Sequence, residues 1–385
     1  MSRHDFTSAE FAARRIRVRR AVAEAGLDWM ILFHPVSIHW LTGSDAKSYQ
    51  AFQCLFVSAE ERATVMLTRE AERAEFEEDA LVDELVTWGG PEPEDPIALF
   101  ERIAGRLNLR RGRVGIEVPA YYLHPHHYLK VKAVLGAALV AEPSHLVHDL
   151  KMVKSPAELV YIRRSAEIAD AAMAVFADSL RAGVSELAIA GGVYDALLKH
   201  GSSLPASTLN LVSGERSCFS HGAPTERRLG HGDFGNIEYG AAFKRHTATI
   251  GRQFAIGRPS PRMNELHAIA LEAADALIAE IRAGVPATQP HEAAKRVIAR
   301  EGLDRHRVHT SGYGLAPGFP PSWGEPINMF GGSGYVLEAG MVLTVEPPIF
   351  IAEEKLGVRL IDNVLVTPSG AERLSRYPRA LIMRD

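Results

Sequence analysis

Cysteine is nearly absent: Cys54 and Cys218 are the only two in 385 residues, which excludes a disulfide framework and a four-cysteine zinc knuckle. An excess of one charge is lacking too. The 43 Lys and Arg stand against 47 Asp and Glu, a net charge of −4, so there is no electrostatic footprint for nucleic acid. No apolar run approaches the ~20 residues a membrane span needs, and 29–33 is long enough only for a buried strand. The opening residues, MSRHDFTSAEF, hold no apolar stretch of a secretory signal, so a cytoplasmic location is expected. What is present is 46% hydrophobic and 23% charged, an ordinary globular mix at a length that calls for two domains.

The first, over residues 1–150, reads as an α/β domain. An Arg-rich amphipathic helix from about Ser8 to Ala25 precedes the apolar run DWMILF, then IHWLTG. CLFVSAEERATVMLT reads as two strands around a turn at 59–62, and VGIEV at 114–118 as another. Acidic helical segments are expected at 70–84 and 97–107. The second domain, 151–385, opens on Ser155-Pro-Ala-Glu158, a capping box with Pro at the first helical position.

Two helices follow that box, to about Leu180 and from Ser185 to Gly201, then strand-like segments STLNLV, FGNIEYGAAF and HTATIGRQFAI. The layout returns about a hundred residues later: a helix from Met263 to Arg282, another ending at Gly302, then RVHTSGYG, MVLTVEPPIFI and GVRLIDNVLVT. Glu238 follows Gly232, and Glu346 follows Gly340, at the same interval. Such self-similarity is the mark of an internal duplication, and two matched units would turn both glutamates into one basin. Each glutamate interrupts an apolar strand pattern, where an ionised carboxylate needs a partner or a task.

Matched strand carboxylates, paired helices and the capping-box start together resemble the creatinase/aminopeptidase-like, or pita-bread, family (peptidase M24 type). WLTG at 40–43 and IEVPAYYLHPHHY at 116–128 resemble its N-terminal domain, and KMVKSPAELVYIRRSAEIAD at 151–170 the start of its catalytic domain. The resemblance implies an α/β (α+β) chain, a creatinase-type domain followed by a pseudo-two-fold pita-bread domain. Metallopeptidases of this fold hold two metal ions with Asp, Asp, His, Glu and Glu. Carried over, those positions fall on Glu238, Thr249, Tyr313, Glu346 and Ile361. Two carboxylates do not supply the several ligands each divalent ion wants, so no metal and no other cofactor is expected. GYGLAPGFPPSWGE at 312–325 is similar to a segment of ectoine hydrolases, and SCFSHGAPTERRL at 217–229 resembles the creatinase loop that carries a catalytic histidine, here His221.

The resulting expectation is a metal-independent hydrolase of a C–N bond in a small amino-acid-like compound: a cyclic amidine, guanidino compound or amide. His221, Glu238, Glu346 and Tyr313 are its catalytic candidates. One glutamate activates water or attacks directly, His221 carries the proton to the leaving nitrogen, and Tyr313 steadies developing charge. Arg252, Arg359 and His309 are candidates for holding substrate. Trp40, Tyr49 and Gln50 are candidates for a contact in which one chain's N-terminal domain reaches the other's pocket in a homodimer. The structural alternative pairs both glutamates with the two arginines in a buried ion network. The functional alternatives are a metal-dependent Xaa-Pro dipeptidase or aminopeptidase, a lyase, and a non-catalytic binding protein on the same fold. His124, His126 and His127 beside Pro125 read as a loop rather than a metal cluster, and Cys218 as a small apolar residue rather than a nucleophile.

Overall fold

In the computed structural model, which describes residues 3–119 and 121–385, the apolar run at 29–32 is a strand, β1 (Trp29–Leu32), buried along its whole length. Its side chains alternate between two apolar clusters: Trp29 and Ile31 on one face, Met30 and Leu32 on the other. A strand covered on both faces needs no polar alternation, which is why it reads as an unbroken apolar run. The others are β2 (Cys54–Ser58), β3 (Val65–Arg69), β4 (Glu84–Trp88), β5 (Val114–Ile116) and β6 (Leu139–Ala141), in the order β4-β3-β2-β1-β5-β6. Helices α1 (Ser8–Glu24), α2 (Pro35–Thr42), α3 (Arg73–Asp79), α4 (Pro96–Arg106), α5 (Pro125–Leu135) and α6 (Leu146–Met152) complete this part.

IHWLTG, to which the sequence assigns no element, falls mostly within α2, which has Pro35 in its first turn and ends at Gly43, whose φ of 84° no β-branched residue tolerates easily. Other expectations need adjustment. The acidic helix expected over 70–84 is confined to α3, and β4 follows because Val86 and Trp88 pack on the core. His124 caps α5, and His126 and His127 lie in that helix rather than in a loop. Of the segment at 116–128, Ala120 lies outside the described residues. No described helix is long and apolar enough to cross a membrane.

Two compact units divide at Lys151 and Met152. In the second, the Ser155–Glu158 box is formed in both directions and starts α7 (Pro156–Ser179), followed by α8 (Glu186–Lys199). Ser260 starts α9 (Pro261–Glu280), followed by α10 (Thr288–Arg300). The strands are β7 (Asn210–Ser213), β8 (Phe234–Phe243), β9 (His246–Ile256), β10 (Tyr313–Phe319), β11 (Ser322–Asn328) and β12 (Val342–Val345). After them come β13 (Ile349–Ile351), β14 (Leu356–Val358), β15 (Asp362–Val366), β16 (Ala371–Arg373) and β17 (Ile382–Arg384). The main sheet runs β16-β15-β12-β10-β9-β8-β7. Residues of α7 and α8 pack with β7–β9 in one core, and those of α9 and α10 with β12 and β15 in another. That division is the duplication made physical: each helix pair buries its own half of one sheet.

Three strands are shorter than their apolar patterns. RVHTSGYG stays irregular until Tyr313, where β10 starts. MVLTVEPPIFI is broken by Glu346-Pro347-Pro348 and GVRLIDNVLVT by Arg359-Leu360-Ile361. Proline offers no N–H to a ladder, so the first interruption is written in the sequence. Both breaks fall at residues of the candidate site.

Candidate active site

A cavity of about 390 Å³ opens between the two halves of the second unit, with Asn210, His221, Glu238, His309, Tyr313 and Trp323 in its lining. Glu238 lies opposite Asn210 in the β7–β8 register and accepts its Nδ2–H at 2.9 Å. Its other partner is the Arg359 guanidinium, which also donates to Ser220 Oγ at 3.0 Å. Arg359 reaches there because the chain leaves the ladder after β14, and its backbone N–H is held by Gln253 Oε1 at 3.1 Å. Both ends of this pair are almost wholly buried, so a broken pair would leave an uncompensated charge.

Across the basin Glu346 ends β12, and its Oε1 lies 3.2 Å from His309 Nδ1. Thr310 O, another acceptor, lies 3.4 Å from the same nitrogen, so Nδ1 carries a proton. Burial pushes the Glu346 carboxyl up, opposed by His309, and the glutamate in turn raises the His309 imidazole. His221, with its ring centroid 5.2 Å from that of His309, moves the other way: burial first, then the nearby Arg359 charge, holds it below the usual imidazole value. The basin thus biases one imidazole towards its neutral form and the other towards its protonated form.

Tyr313 takes its backbone N–H to Thr344 Oγ1 at 2.9 Å, and its hydroxyl accepts Trp323 Nε1–H at 2.9 Å. Burial, then Glu346 and Glu238, push its hydroxyl well above the ordinary phenol range. The structure therefore brings together His221, His309, Glu238, Glu346, Tyr313 and Arg359.

Arg252 does not join them. Its guanidinium is fully buried and spent on Asp362 and the carbonyls of Gly251, Ile361, Tyr377 and Pro378, so it braces the sheet and C-terminal segment instead of holding substrate. Trp40 is 1% exposed, packed beneath Arg14 and Arg17 in the first unit, and offers no side-chain surface for a substrate contact. Tyr49 is also buried, its ring 5.9 Å from Tyr122. Asn210 and Trp323 line the basin without having been singled out from sequence. The polar residue that opens the strand NLVS, and the Trp of the quoted PPSWGE segment, were the available signals.

The remaining positions decide whether this fold's two metal ions suit the residues present. Thr249 is locked to Asn363, which donates Nδ2–H to its hydroxyl at 2.9 Å. Ile361 is fully buried against Gly251, and the phenol of Tyr313 replaces an imidazole. Among the described residues, no three His, Cys, Asp or Glu side chains gather where they could hold a metal ion. These donors do not fit a dinuclear centre.

Residues 160–368 match the metallopeptidase family M24, and residues 14–153 match the creatinase/prolidase N-terminal domain. The Xaa-Pro dipeptidase of Pyrococcus furiosus is 31% identical over 238 residues, covering 62% of this chain and 67% of the relative. Among solved structures, the Xaa-Pro dipeptidase from Bacillus anthracis superposes with a TM-score of 0.85 at 26% identity, covering 97% of this chain and 99% of that one. Dipeptidase PepE from Mycobacterium ulcerans gives 0.86 at 25% identity, with 98% and 99% covered. These likenesses overturn the expected metal-independent hydrolase of a cyclic amidine, guanidino compound or amide: two of these relatives are Xaa-Pro dipeptidases and the third is a dipeptidase, and none is an ectoine hydrolase. Hydrolysis of a carbon–nitrogen bond stands, and so does the pita-bread architecture with a creatinase-type domain ahead of it. The chain belongs to metallopeptidase family M24.

Proposed function

We propose that this chain hydrolyses the C–N bond of a short peptide of the Xaa-Pro type in the basin between Glu238 and Glu346. The observation that carries the reading is the Glu346–His309 contact at 3.2 Å beside His221, both histidines lining a cavity of about 390 Å³. That volume lies towards the small end of the ~300–1,000 Å³ of ligand pockets, which suits a dipeptide better than a folded chain. The names of the relatives supply the Xaa-Pro class.

Each residue has a task that follows from its surroundings. His221, held neutral, accepts a proton from the attacking water as its oxygen bonds to the acyl carbon. The C–N bond then breaks with its electron pair on nitrogen, and the protonated His309, backed by Glu346, delivers a proton there. These assignments move the leaving-group proton from His221, where the sequence places it, to His309. Glu238 is tied to Arg359 and Asn210 through Oε2 and holds charge in place, while Glu346 backs His309. No step is assigned to a metal, because the donors do not fit the family's pair.

The test is proline release from Ala-Pro and Gly-Pro, with Ala-Ala as comparison, assayed with and without added Mn²⁺. Release from the prolyl substrates is expected, with Glu346→Gln lowering turnover by ~10²-fold or more, the scale of a lost general acid/base. No release under either condition, or an undiminished Glu346→Gln variant, would contradict the reading.

A further inference from the structure

Trp323 lines the basin with its polar atom already committed. Its indole has a single N–H and no acceptor, and that N–H goes to Tyr313 Oη at 2.9 Å. A phenol oxygen has one proton to give and two lone pairs to receive. With one lone pair filled by the indole, the hydroxyl proton must turn away from Trp323. Among the described residues no protein acceptor takes that proton. The phenol therefore faces the cavity as a donor, and burial, followed by the two neighbouring carboxylates, keeps it protonated.

The indole is itself tightly fixed. Trp323 is only 6% exposed and packs with Ile162, Ala206, Ala248 and Leu315. One ring edge lies on Gly240, two residues beyond Glu238 in β8, where an added Cβ would come within 3.0 Å of Trp323 Cζ3 and 3.2 Å of Cε3. Glycine at 240 is thus what allows the ring to reach its place. Tyr313 is anchored at its other end by Thr344. A donor pinned at the backbone and at the oxygen loses little freedom when it meets a partner, which is what preorganised stabilisation of a developing oxyanion requires.

We infer that Trp323 is a positioning residue: through its hydrogen bond to Tyr313 Oη, it aims the Tyr313 hydroxyl at the oxygen of the scissile carbonyl. The inference rests on the peptidase reading above and adds to it the residue that fixes the oxyanion donor. A donor used mainly in the transition state affects kcat, and the residue that aims it affects kcat through the donor alone.

The experiment compares Trp323→Phe, Tyr313→Phe and the double variant on Ala-Pro, together with the ¹⁹F resonance of Tyr313 in protein labelled with 3-fluorotyrosine. Tyr313→Phe should lower kcat by ~10²-fold, the scale of a lost oxyanion donor. Trp323→Phe should lower it by ~5–10-fold, as for one neutral hydrogen bond, with KM within about twofold. The double variant should be no slower than Tyr313→Phe, and the Tyr313 resonance should move when Trp323 is replaced. Gly240→Ala, which leaves both aromatic side chains in place but crowds the indole, should shift the same resonance and lower kcat in the same direction; it also serves if Trp323→Phe folds poorly. Multiplying effects in the double variant, a raised KM with unchanged kcat, or an unmoved resonance in the folded variants would overturn the inference. If the unsubstituted protein releases no proline, the peptidase reading fails and the positioning role falls with it, an outcome distinct from an active parent whose variants behave alike.

Discussion

His221 and His309 are chemically identical side chains with ring centroids 5.2 Å apart, yet burial and Arg359 lower one imidazole while Glu346 raises the other. The proposed mechanism needs His221 neutral and His309 protonated, so it predicts a bell-shaped kcat/KM, its acid limb set by His221 and its alkaline limb by His309. Stability follows the same signs. A raised His309 stabilises the fold below the ordinary imidazole value of about 6.5, and that contribution is lost as pH rises through its folded value. A lowered His221 acts oppositely, its contribution being present above about 6.5 and lost as pH falls towards its folded value. In Glu346→Gln the alkaline limb should move to lower pH; an alkaline limb that stays put would assign it to another group. The two glutamates were legible in sequence because an ionisable residue in an apolar strand is costly without a partner. The arginines were not equally so. Arg252 follows Glu238 by 14 residues and Arg359 follows Glu346 by 13, yet one braces Asp362 and the other meets Glu238, a difference set by strand breaks and packing.

At the level of elements, those breaks are what build the basin. Pro347 and Pro348 end β12 so that Glu346 leaves the ladder, and the chain between β14 and β15 leaves it at Arg359. Where it returns, Gly251 of β9 and Ile361 exchange backbone hydrogen bonds at 3.1 and 3.0 Å, with the isoleucine side chain lying over the glycine. A Cβ on Gly251 would come within 2.8 Å of Ile361 Cγ1. Gly251→Val should therefore destabilise the protein by about 1–3 kcal/mol, the cost of overpacking a filled core, measured by urea unfolding. Unchanged stability would mean that this crossing is loose and does not fix the Arg359 segment. Helices were the most legible elements, since Ser155-Pro-Ala-Glu158 states its own start. Strand ends at 307–312 were less so: the β-branched Val308 and Thr310 look like strand until Gly312, at φ 159°, and the packing of Thr344 against it are known.

For the whole molecule, the duplicated helix–helix–sheet pattern was enough to give the architecture, because each repeat must bury its own apolar face and does so in a separate core. The reaction was less accessible. Thr249, Tyr313 and Ile361 at metal-ligand positions drew the sequence reading towards ectoine hydrolases and creatinase, whereas the likeness over almost the entire chain includes an Xaa-Pro dipeptidase and another dipeptidase. Substitutions at three positions change the donor set but say little about which bond is cut. The measurement that bears most directly on the account is a single turnover of Ala-Pro in ¹⁸O-water, with the products and the peptides containing Glu238 and Glu346 analysed by mass spectrometry. Direct attack by water, with His221 as base, predicts proline release with ¹⁸O in the alanine carboxylate of the first turnover and none in either glutamate. No release of proline, or label in a glutamate while the first alanine stays unlabelled, would contradict it.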